Sequence, residues 1–469
     1  MTAQTILPAN TLSSGGYNVA NSCMFGNPNT ANSDTATDYL LRTYSAGNRR
    51  TFTISYWVKR SNLNINNSFQ QVIGQQASDY FRVGFGSNEQ GNIFRMYGRG
   101  GFEFRTKIFA RDVTAWYHVC LAIDTTQGTA SNRAKLYING VQQTEFYTEN
   151  YPDQNTELDY NRGARHTIGK TGGTNGIDAF CGYLAEFVSI DGSALGPTSF
   201  GEFDEDSGIW KPIDVSELTF GSQGFYLDFA DGGDLGDDES GNENDWAETG
   251  IDATNQSTDT CTNNFATFNS LVKGAVSPTF KEGNIQVDAG NNWGHAVGSI
   301  GLAAGKWYWE MDNITAQSNA FYGICNEFNV AHLDNDSTPY DQAGLILYFQ
   351  DGRRTIDGTN SEGEYAAWGT TMACALDLDS GTRTVKFYRD NSAIATVNLT
   401  ANFAANDFVF PIWLGSASSN ANGVDFNFGG TIATALASAE SDANGYGNFE
   451  FAPPSGYYAI CTKNIAEFG

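Results

Sequence analysis

Short segments in which apolar and polar residues alternate recur along most of the chain, and this feature limits the fold most strongly. In TFTISYWVKR, which starts at Thr51, one alternating set is Phe52, Ile54, Tyr56 and Val58. Side chains at a period of two point to opposite faces of a β-strand, so one face can be buried. Similar segments, such as GKWYWEMDNI, FYGICNEF and DFVFPIWLG, are bounded by Gly, Asp or Asn. Many short strands at regular spacing predict an antiparallel sandwich rather than a βαβ fold.

Two segments in different halves of the chain share one local design. In AIDTTQGTASNRAKLYING a strand that ends at Asp124 is followed by a polar loop and a second strand, and ALDLDSGTRTVKFYRDN repeats this order in the second half. The dipeptide Asn139-Gly140 lies between two strand patterns and predicts a tight hairpin turn. The shared design favours two versions of one sandwich architecture in tandem.

Strand patterns are dense in two regions and sparse between them, which predicts the domain organisation. We predict an N-terminal arm over 1–21, a first β-sandwich over 22–202, an irregular acidic connector that packs on the first domain over 203–262, and a second β-sandwich over 263–469. The predicted fold class is therefore all-β, with two tandem antiparallel β-sandwich domains. Only residues 431–443 (TIATALASAESDA) have the composition of a short helix.

The formal net charge of −27 limits the partners of the chain. A surface of this sign repels phosphate groups, so we expect no nucleic-acid partner. No apolar run approaches the ~18 residues of a membrane-spanning helix, so we expect no membrane insertion. The first residues lack the basic and apolar segments of a secretory signal peptide. The seven cysteines are widely spaced, and we interpret them as buried free thiols of a protein assembled in a reducing cytoplasm.

Several sequence blocks of the first half, in order, resemble the laminin-G-like, concanavalin A-like jelly-roll domains of bacteriophage virion proteins. The blocks are NRRTFTISYWVKRSNL, AWYHVCLAIDTTQGTASNRAKLYINGVQ, GYLAEFVSIDGSAL and SFGEFDEDSGIWKP, and the resemblance covers about 22–246. The second half resembles a SPRY domain over about 265–463. Its blocks are GKWYWE, FYGI, CALDLDSGTRTVKFYRDN, FPIW, VDFNFGG and FAPPSGYYAI.

This pairing of domains is similar to tail-fibre-like and head-decoration proteins of phages, notably marine ones. The resemblance implies a structural protein on the virion surface, either a tail fibre or a capsid decoration (head fibre), made in the host cytoplasm. The implied partners are other virion proteins of the capsid or tail, further copies of the chain in a homo-oligomer, and a glycan or protein of the host surface. Two alternatives stay open: a purely structural component that binds only capsid or tail neighbours, and a glycan-degrading enzyme.

Glycoside hydrolases with concanavalin A-like folds need two carboxylates across a cleft. Glu202 and Asp204 alternate in the sequence but lie in a Gly/Ser-rich loop, and Glu310 and Asp312 lie at a strand end without a third acid. We interpret all four as solvated acids. The four histidines are scattered, and the sequence contains neither a nucleophile elbow nor a phosphate-binding loop. We therefore predict that the chain is not an enzyme.

Sugar binding by a sandwich calls for exposed aromatic rings and planar hydrogen-bonding groups in the loops at one end. In the first domain, the candidates are Tyr147, Tyr151 and Tyr160. In the second domain, they are Tyr340, Arg353, Arg354 and Trp368. The SPRY resemblance points to the same loops of the second domain. The alternative is that these rings cap the cores or fill subunit interfaces.

An acidic stretch after the first domain offers a candidate calcium site. Calcium takes six to eight oxygen ligands from closely spaced carboxylates and carbonyls. The candidate ligands are Asp234, Asp237, Asp238 and Asp245. The ligand order of an EF-hand is absent, so the alternative is a turn-rich loop whose Asp and Asn side chains accept backbone hydrogen bonds. We expect no other cofactor.

Overall fold

The computed structural model is built almost entirely from antiparallel β-sheets, as the alternation predicts. The chain divides into two compact units, and the boundary falls between Thr262 and Asn263. The structure describes residues 16–26, 38–61, 63, 69–75, 81–86, 92–170, 178–272, 278–288, 293–312, 320–327, 339–361, 367–415 and 423–469.

Eighteen strands are described in the first unit. In chain order they are β1 (Ser22–Phe25), β2 (Tyr39–Thr43), β3 (Thr51–Arg60), β4 (Phe69–Gln75), β5 (Arg82–Gly86), β6 (Ile93–Tyr97), β7 (Glu103–Phe109), β8 (Trp116–Asp124), β9 (Ala134–Ile138), β10 (Val141–Gln142), β11 (Phe146–Asn150), β12 (Arg165–Ile168), β13 (Gly182–Asp191), β14 (Gly201–Phe203), β15 (Trp210–Pro212), β16 (Phe225–Leu227), β17 (Ala247–Thr249) and β18 (Gln256–Ser257).

These strands form two large sheets around one core. Sheet I has the order β10-β9-β8-β3-β13-β1-β18, with β16 also paired to β13, and sheet II has the order β11-β7-β6-β5-β4-β12-β2-β17. Strands β14 and β15 form a separate hairpin. The predicted apolar set on β3 is the buried one, because Phe52, Ile54, Tyr56 and Val58 are at most 1% exposed and belong to this core.

Sixteen strands are described in the second unit. They are β19 (Thr279–Lys281), β20 (Gln286–Asp288), β21 (Gly294–Val297), β22 (Lys306–Asp312), β23 (Ala320–Asn326), β24 (Leu345–Phe349), β25 (Arg354–Ile356), β26 (Thr359–Ser361), β27 (Met372–Asp377), β28 (Thr384–Arg389), β29 (Ser392–Asn398), β30 (Val409–Gly415), β31 (Val424–Asn427), β32 (Glu440–Ser441), β33 (Asn448–Phe449) and β34 (Tyr458–Ala459).

The sheets of the second unit repeat the strand order of the first except at the sheet edges. Sheet III is β29-β28-β27-β22-β31-β20-β19, with β34 parallel to β22, and sheet IV is β26-β25-β24-β23-β30-β21. Strand β3 is fourth in sheet I and β22 is fourth in sheet III, and each is followed outward by the hairpin that carries the shared sequence design. The prediction of two tandem sandwiches of one architecture is therefore confirmed.

The predicted Asn-Gly hairpin is confirmed. Strands β9 and β10 pair in antiparallel fashion, and Asn139 and Gly140 between them have φ angles of 48° and 76°. Two left-handed residues are what a type I′ hairpin turn needs. A Cβ atom at Gly140 would also lie 2.2 Å from the ring of Trp210, so close packing requires the glycine as well.

The helix predicted over 431–443 is wrong. This segment forms turns and the short strand β32, whereas the helix near the C-terminus is Thr462–Phe468. Alanine favours helix, but the segment has no apolar stripe that a helix could bury, and a short helix without tertiary packing is marginal in water. No helix among the described residues is long and apolar enough to cross a membrane.

Residues 203–262, predicted as a connector, supply strands to the first unit. Strand β16 pairs with β13, β17 with β2 and β18 with β1. This segment and residues 17–20 cover the outer face of sheet I, where Trp57, Tyr183 and Cys261 are at most 1% exposed. The centre of sheet I is therefore buried on both faces.

Candidate functional site

An open depression of about 460 Å³ lies at the edge of sheet II. Strand β2, the turn around Gln223 and the loop 243–247 form its sides. Its lining residues are Leu41, Arg42, Thr43, Ser45, Gln223, Glu243, Asn244, Asp245 and Ala247. Guanidinium, amide, hydroxyl and carboxylate groups dominate this set, so the depression offers both donors and acceptors of hydrogen bonds.

Arg42 is the most deeply buried charge in this lining. The residue is only 9% exposed, and it forms no salt bridge with a described residue. Nη1 donates to the carbonyl oxygen of Gln223 at 3.2 Å, and Nη2 donates to Gln223 Oε1 at 3.4 Å and to Asn244 Oδ1. The guanidinium carbon lies 4.4 Å from the ring centroid of Tyr44. The direct hydrogen-bond partners of this cation are therefore neutral acceptors, and the carboxylates of Glu243 and Asp245 stand in the same lining.

Hydrogen bonds to the backbone fix the walls of the depression. The Asp238 carboxylate accepts from the backbone N–H of Tyr226 (2.8 Å), Ser240 (3.0 Å) and Asn244 (2.9 Å). Asn244 Nδ2 then donates to the carbonyl oxygen of Gly224 at 2.7 Å. These bonds tie the loop 238–245 to the preceding turn, so the folded backbone sets the positions of the polar groups.

The structure separates the three tyrosines predicted to bind ligand in the first domain. Tyr147 lies on edge strand β11 and is 47% exposed. Tyr151 is half-buried against the core, and its hydroxyl donates to Glu149 Oε1 at 2.5 Å. Tyr160 is fully buried, and its hydroxyl lies 2.8 Å from Ser189 Oγ. The prediction for Tyr160 is wrong, because a ring inside the core cannot contact a ligand in solution.

In the second domain, Tyr340 and Arg353 lie on one face of sheet IV. The ring of Tyr340 stacks on Phe321 with centroids 5.0 Å apart, and Phe321 contacts Phe349 at 4.3 Å. The Arg353 guanidinium lies 4.2 Å from the Phe349 centroid and forms a 2.8 Å salt bridge with Asp351. The loop 328–338, which precedes Tyr340, lies outside the described residues.

Trp368 and Arg354 lie apart from that group. Trp368 is half-buried against the second core, where it meets Tyr322 edge to face at 5.6 Å. This ring caps part of the core, as the alternative predicted, and a contact of its exposed part with a ligand stays a prediction. Arg354 is a half-buried residue of β25 opposite Tyr348 of β24.

The four aspartates of the predicted calcium site organise turns instead. Asp234 Oδ1 accepts from the N–H of Gly236 at 3.2 Å, and Asp245 Oδ1 accepts from the N–H of Asp238 at 3.2 Å. Partial burial and the negative charges of Asp245 and Asp234 raise the pKa of Asp237. No group of three or more Asp, Glu, His or Cys residues within the described ranges has the geometry of a metal site. The structure therefore supports the alternative, a loop held by side-chain acceptors.

The predicted loop acids of the first domain form an exposed hairpin. Lys211 Nζ lies 3.3 Å from both Glu202 Oε1 and Asp204 Oδ2. Hydrogen bonds from Ser207 lower the pKa of Asp204 to about 2. A carboxyl group that stays ionised at all moderate pH values is a poor general acid.

Glu310 and Asp312 are not solvated acids, so our interpretation of these two residues from the sequence is wrong. Both lie on the outer face of β22, and Glu310 is fully buried. Its carboxylate accepts from the Tyr308 hydroxyl at 2.9 Å and from the backbone N–H of Glu450 (2.7 Å) and Phe451 (2.9 Å). Burial raises the pKa of Glu310 to about 7 and that of Asp312 to about 6. The C-terminal segment covers Glu310, so this carboxylate anchors the chain rather than facing a cleft.

Of the lining residues, sequence reasoning named only Asp245, as a calcium ligand, and it missed the depression because the lining comes from distant segments. Arg42 is separated from Gln223 by 181 positions and from Asn244 by 202. The one local signal was Arg42 itself, a charge at an inward position of the alternating strand β2. The interpretation of the seven cysteines as buried free thiols is confirmed, because all seven are buried and none forms a disulfide.

Comparisons with known proteins support the fold of the first unit. The Laminin_G_3 family model, described as the concanavalin A-like lectin/glucanases superfamily, matches residues 34–197, about a third of the chain. No curated protein matches.

Similar solved structures include a heptameric SAP-like pentraxin from Limulus polyphemus (16% identity, 38% of this chain and 80% of that chain, TM-score 0.28). The SPRY domain of human HERC1 (14%, 36% and 99%, TM-score 0.27) and the TRIM65 PSpry domain (14%, 36% and 90%, TM-score 0.28) are also similar. By the family match, residues 34–197 are similar to concanavalin A-like domains of the laminin G type.

Proposed function

We propose that the first unit is a non-catalytic carbohydrate-binding module whose site is the depression at Arg42. The observation that carries this proposal is the lining itself: a guanidinium, two amides and two hydroxyls converge on one cavity of about 460 Å³. Sugar hydroxyls both donate and accept hydrogen bonds, so a mixed lining of this kind suits them. The description of the matching family, which includes lectins, agrees with this ligand class.

The rigidity of the depression also favours binding. Arg42 packs on Tyr44, and Tyr44 stacks on His166 with ring centroids 3.9 Å apart. The rings hold the guanidinium in one plane before any ligand arrives, which lowers the entropic cost of binding. Glu243 and Asp245 add carboxylate acceptors to the lining.

A binding role without catalysis fits the acids described above. Glu202 and Asp204 are paired with Lys211, and Glu310 is bonded to backbone N–H groups. Within the described ranges, Lys211 holds the first two acids together and the C-terminal segment covers Glu310, so these three acids do not form the pair across an open cleft that glycoside hydrolysis needs. We therefore propose a binding protein without hydrolase activity. Release of reducing ends from a bound glycan would contradict the proposed lack of hydrolase activity.

The setting that we propose is the surface of a phage virion, as a tail-fibre-like or capsid-decorating protein that contacts the host. The support is the ordered resemblance of sequence blocks in both halves. A weak sugar site gains avidity when many copies on one particle act together. The second candidate is a purely structural virion part; a buried area above ~1,000 Å² against capsid or tail neighbours in the intact particle would favour it.

The test is a glycan array with the full chain, followed by titration of any sugar that binds. Ser45 is an exposed residue of the lining, and Ser45→Trp should fill the depression. We expect at least about tenfold weaker binding, since a blocked site loses several hydrogen bonds. Ser131→Trp, at an exposed loop position away from the lining, is the matched control and should bind as the wild type does.

Two outcomes would contradict the proposal. One is the absence of glycan binding even when the protein is displayed at high valency. The other is glycan binding that Ser45→Trp leaves unchanged, which would place the site elsewhere on the chain.

A further inference from the structure

The depression lies where the pairing between strands β2 and β17 stops. The last pair of this antiparallel ladder is Leu41↔Ala247. If the ladder continued by two residues, Asp245 would face Thr43, the last residue of β2. Instead, the N–H of Trp246 donates to a loop carbonyl oxygen at 2.8 Å, so the chain turns away from β2. The cavity is therefore a gap in the edge of sheet II, between Thr43 and Asp245.

The backbone of Thr43 directs its N–H and C=O groups into this gap. On the other side of β2, the N–H of Tyr44 donates to the carbonyl oxygen of Ala164 at 3.0 Å. Hydrogen-bonded and non-hydrogen-bonded pairs alternate along an antiparallel ladder, so Thr43 and Arg165 form a non-hydrogen-bonded pair. The polar backbone groups of Thr43 therefore face away from β12. No residue in the described part of the chain forms a hydrogen bond with either group, and Thr43 is exposed.

The groups around the gap suit a secondary amide with a small apolar end. Leu41 lies two residues from Thr43 on the same face of β2, and Ala247 lies directly opposite Leu41. Across the gap, Asp245 Oδ1 accepts from the N–H of Asp238 at 3.2 Å, whereas Oδ2 accepts from no residue within the described ranges. The gap thus offers a backbone donor, an aliphatic contact and a carboxylate acceptor.

We propose that the gap binds the acetamido group of an N-acetylated hexosamine; this sugar class rests on the proposed function and makes it more specific. The acetyl oxygen accepts from the N–H of Thr43, and the amide N–H donates to Asp245 Oδ2. The methyl group packs on Leu41 and Ala247. Because the N–H and C=O groups of a planar trans amide point in opposite directions, one acetamido group can bridge both sides of the gap. It thereby replaces the backbone partner that β17 does not supply.

The charge and length of the gap favour this neutral group over other ligands. The chain carries −27, and Glu243 and Asp245 stand in the lining, so an anionic sugar is repelled. An ammonium group has no acceptor for the N–H of Thr43. An extended peptide needs several consecutive unpaired residues along a strand edge, whereas β2 ends at Thr43. The other polar lining groups, among them Arg42 and Asn244, suit the hydroxyls of a sugar ring.

The test compares three tetrasaccharides that share one backbone and differ in a single substituent on each ring. Chitotetraose carries the acetamido group, cellotetraose carries a hydroxyl in its place, and the fully deacetylated chitosan tetramer carries an amine. We expect the full chain to bind chitotetraose at least about tenfold more tightly than cellotetraose, because the acetamido group adds a hydrogen bond to a carboxylate and an apolar contact. The chitosan tetramer should bind more weakly than chitotetraose.

Two substitutions of Thr43 separate its backbone from its side chain. Thr43→Pro removes the N–H, which faces away from β12, so the ladder with β12 is kept and the preference for chitotetraose should disappear. Thr43→Val is the matched variant, because it keeps the N–H and removes only the hydroxyl. It should weaken both sugars by the same factor and leave the preference unchanged. If Thr43→Pro does not fold, Leu41→Ser removes the methyl contact and should reduce the preference severalfold.

The outcomes distinguish this inference from the proposed function. Equal affinity for chitotetraose and cellotetraose, with both lost in Ser45→Trp, would overturn the inference and leave the proposed function intact. A preference that survives in Thr43→Pro, or tighter binding of the chitosan tetramer, would overturn it as well. So would a capped trialanine peptide that binds more tightly than chitotetraose, since the gap would then fit a protein partner. Absence of binding to all three sugars and to the glycan array would contradict both proposals.

Discussion

Equivalent strands at the centre of sheets I and III each bury a charged residue on the outer face, and the two charges are held differently. In the first unit, Lys59 Nζ lies 2.6 Å from Asp259 Oδ2, and both side chains are at most 1% exposed. In the second unit, Glu310 receives hydrogen bonds from the backbone N–H groups of Glu450 and Phe451. In both cases the partner belongs to the last segment of the unit, so the buried charge anchors that segment to the sheet.

The comparison shows that one topology allows two kinds of anchor, and that these differ in their sensitivity to mutation and to pH. An ion pair stabilises the anchored segment only while the opposite charge is present. A carboxylate held by neutral donors is instead destabilised in its ionised form by burial, which is why the pKa of Glu310 rises to about 7. The first anchor should therefore be most sensitive to mutation of one partner, and the second to pH.

Breaking the ion pair should have the largest effect. Lys59→Met leaves Asp259 buried without its cation, and loss of one partner of a buried pair costs ~3–5 kcal/mol. Trp116 Nε1, which donates to the other Asp259 oxygen at 3.1 Å, offsets only part of this loss. Hydrogen exchange of peptides from β3 and from 257–262 should show the loss, with peptides of the second unit as the internal control.

The double variant Lys59→Met/Asp259→Leu sharpens this prediction. An apolar pair of similar volume avoids the uncompensated charge, so most of the stability should return. If the single and double variants are equally unstable, packing rather than charge holds the last segment of the first unit on sheet I.

The second anchor should give a smaller, pH-dependent effect. The folded pKa of Glu310 (about 7) lies above its unfolded value of 4.5, so protonation favours the folded state. This stabilisation is complete below about pH 4.5 and is lost as the pH rises through 7. We expect the region around β22 and β33 to lose roughly 2–3 kcal/mol between pH 4.5 and 8.

Glu310→Gln should remove most of that dependence, as measured by hydrogen exchange of the same peptides across the pH range. Asp312, whose pKa is about 6, accounts for part of what is left. An unchanged pH profile in Glu310→Gln would show that another group governs the second unit.

The smallest effect is expected on the open face of sheet II. Arg95 is partly exposed and its salt bridge with Glu103 is screened by water, so Arg95→Gln should change the free energy of unfolding by less than ~1 kcal/mol. Urea denaturation checks this value. A loss as large as that of Lys59→Met would mean that the Arg95–Glu103 salt bridge stabilises the sheet far more than a partly exposed ion pair should.

Much of the architecture was predictable from local sequence, and most of the candidate site was not. The period of two marked β3 and its buried set, and Asn139-Gly140 marked a hairpin, because both signals depend on backbone geometry within a few residues. Exposure of the candidate tyrosines was not predictable. Tyr147 and Tyr160 look alike in sequence, yet one is on an edge strand and the other is in the core.

The sequence by itself determined that this chain is all-β, that it contains two sandwiches, and that its charge disfavours nucleic acid. Only the tertiary structure decided which outer face is covered and which is open. The physical reason is that alternation gives each strand two different faces, but it does not determine which segment packs on the second face. That choice depends on segments some 200 residues away, which bring Asp259 to Lys59 and Gln223 and Asn244 to Arg42.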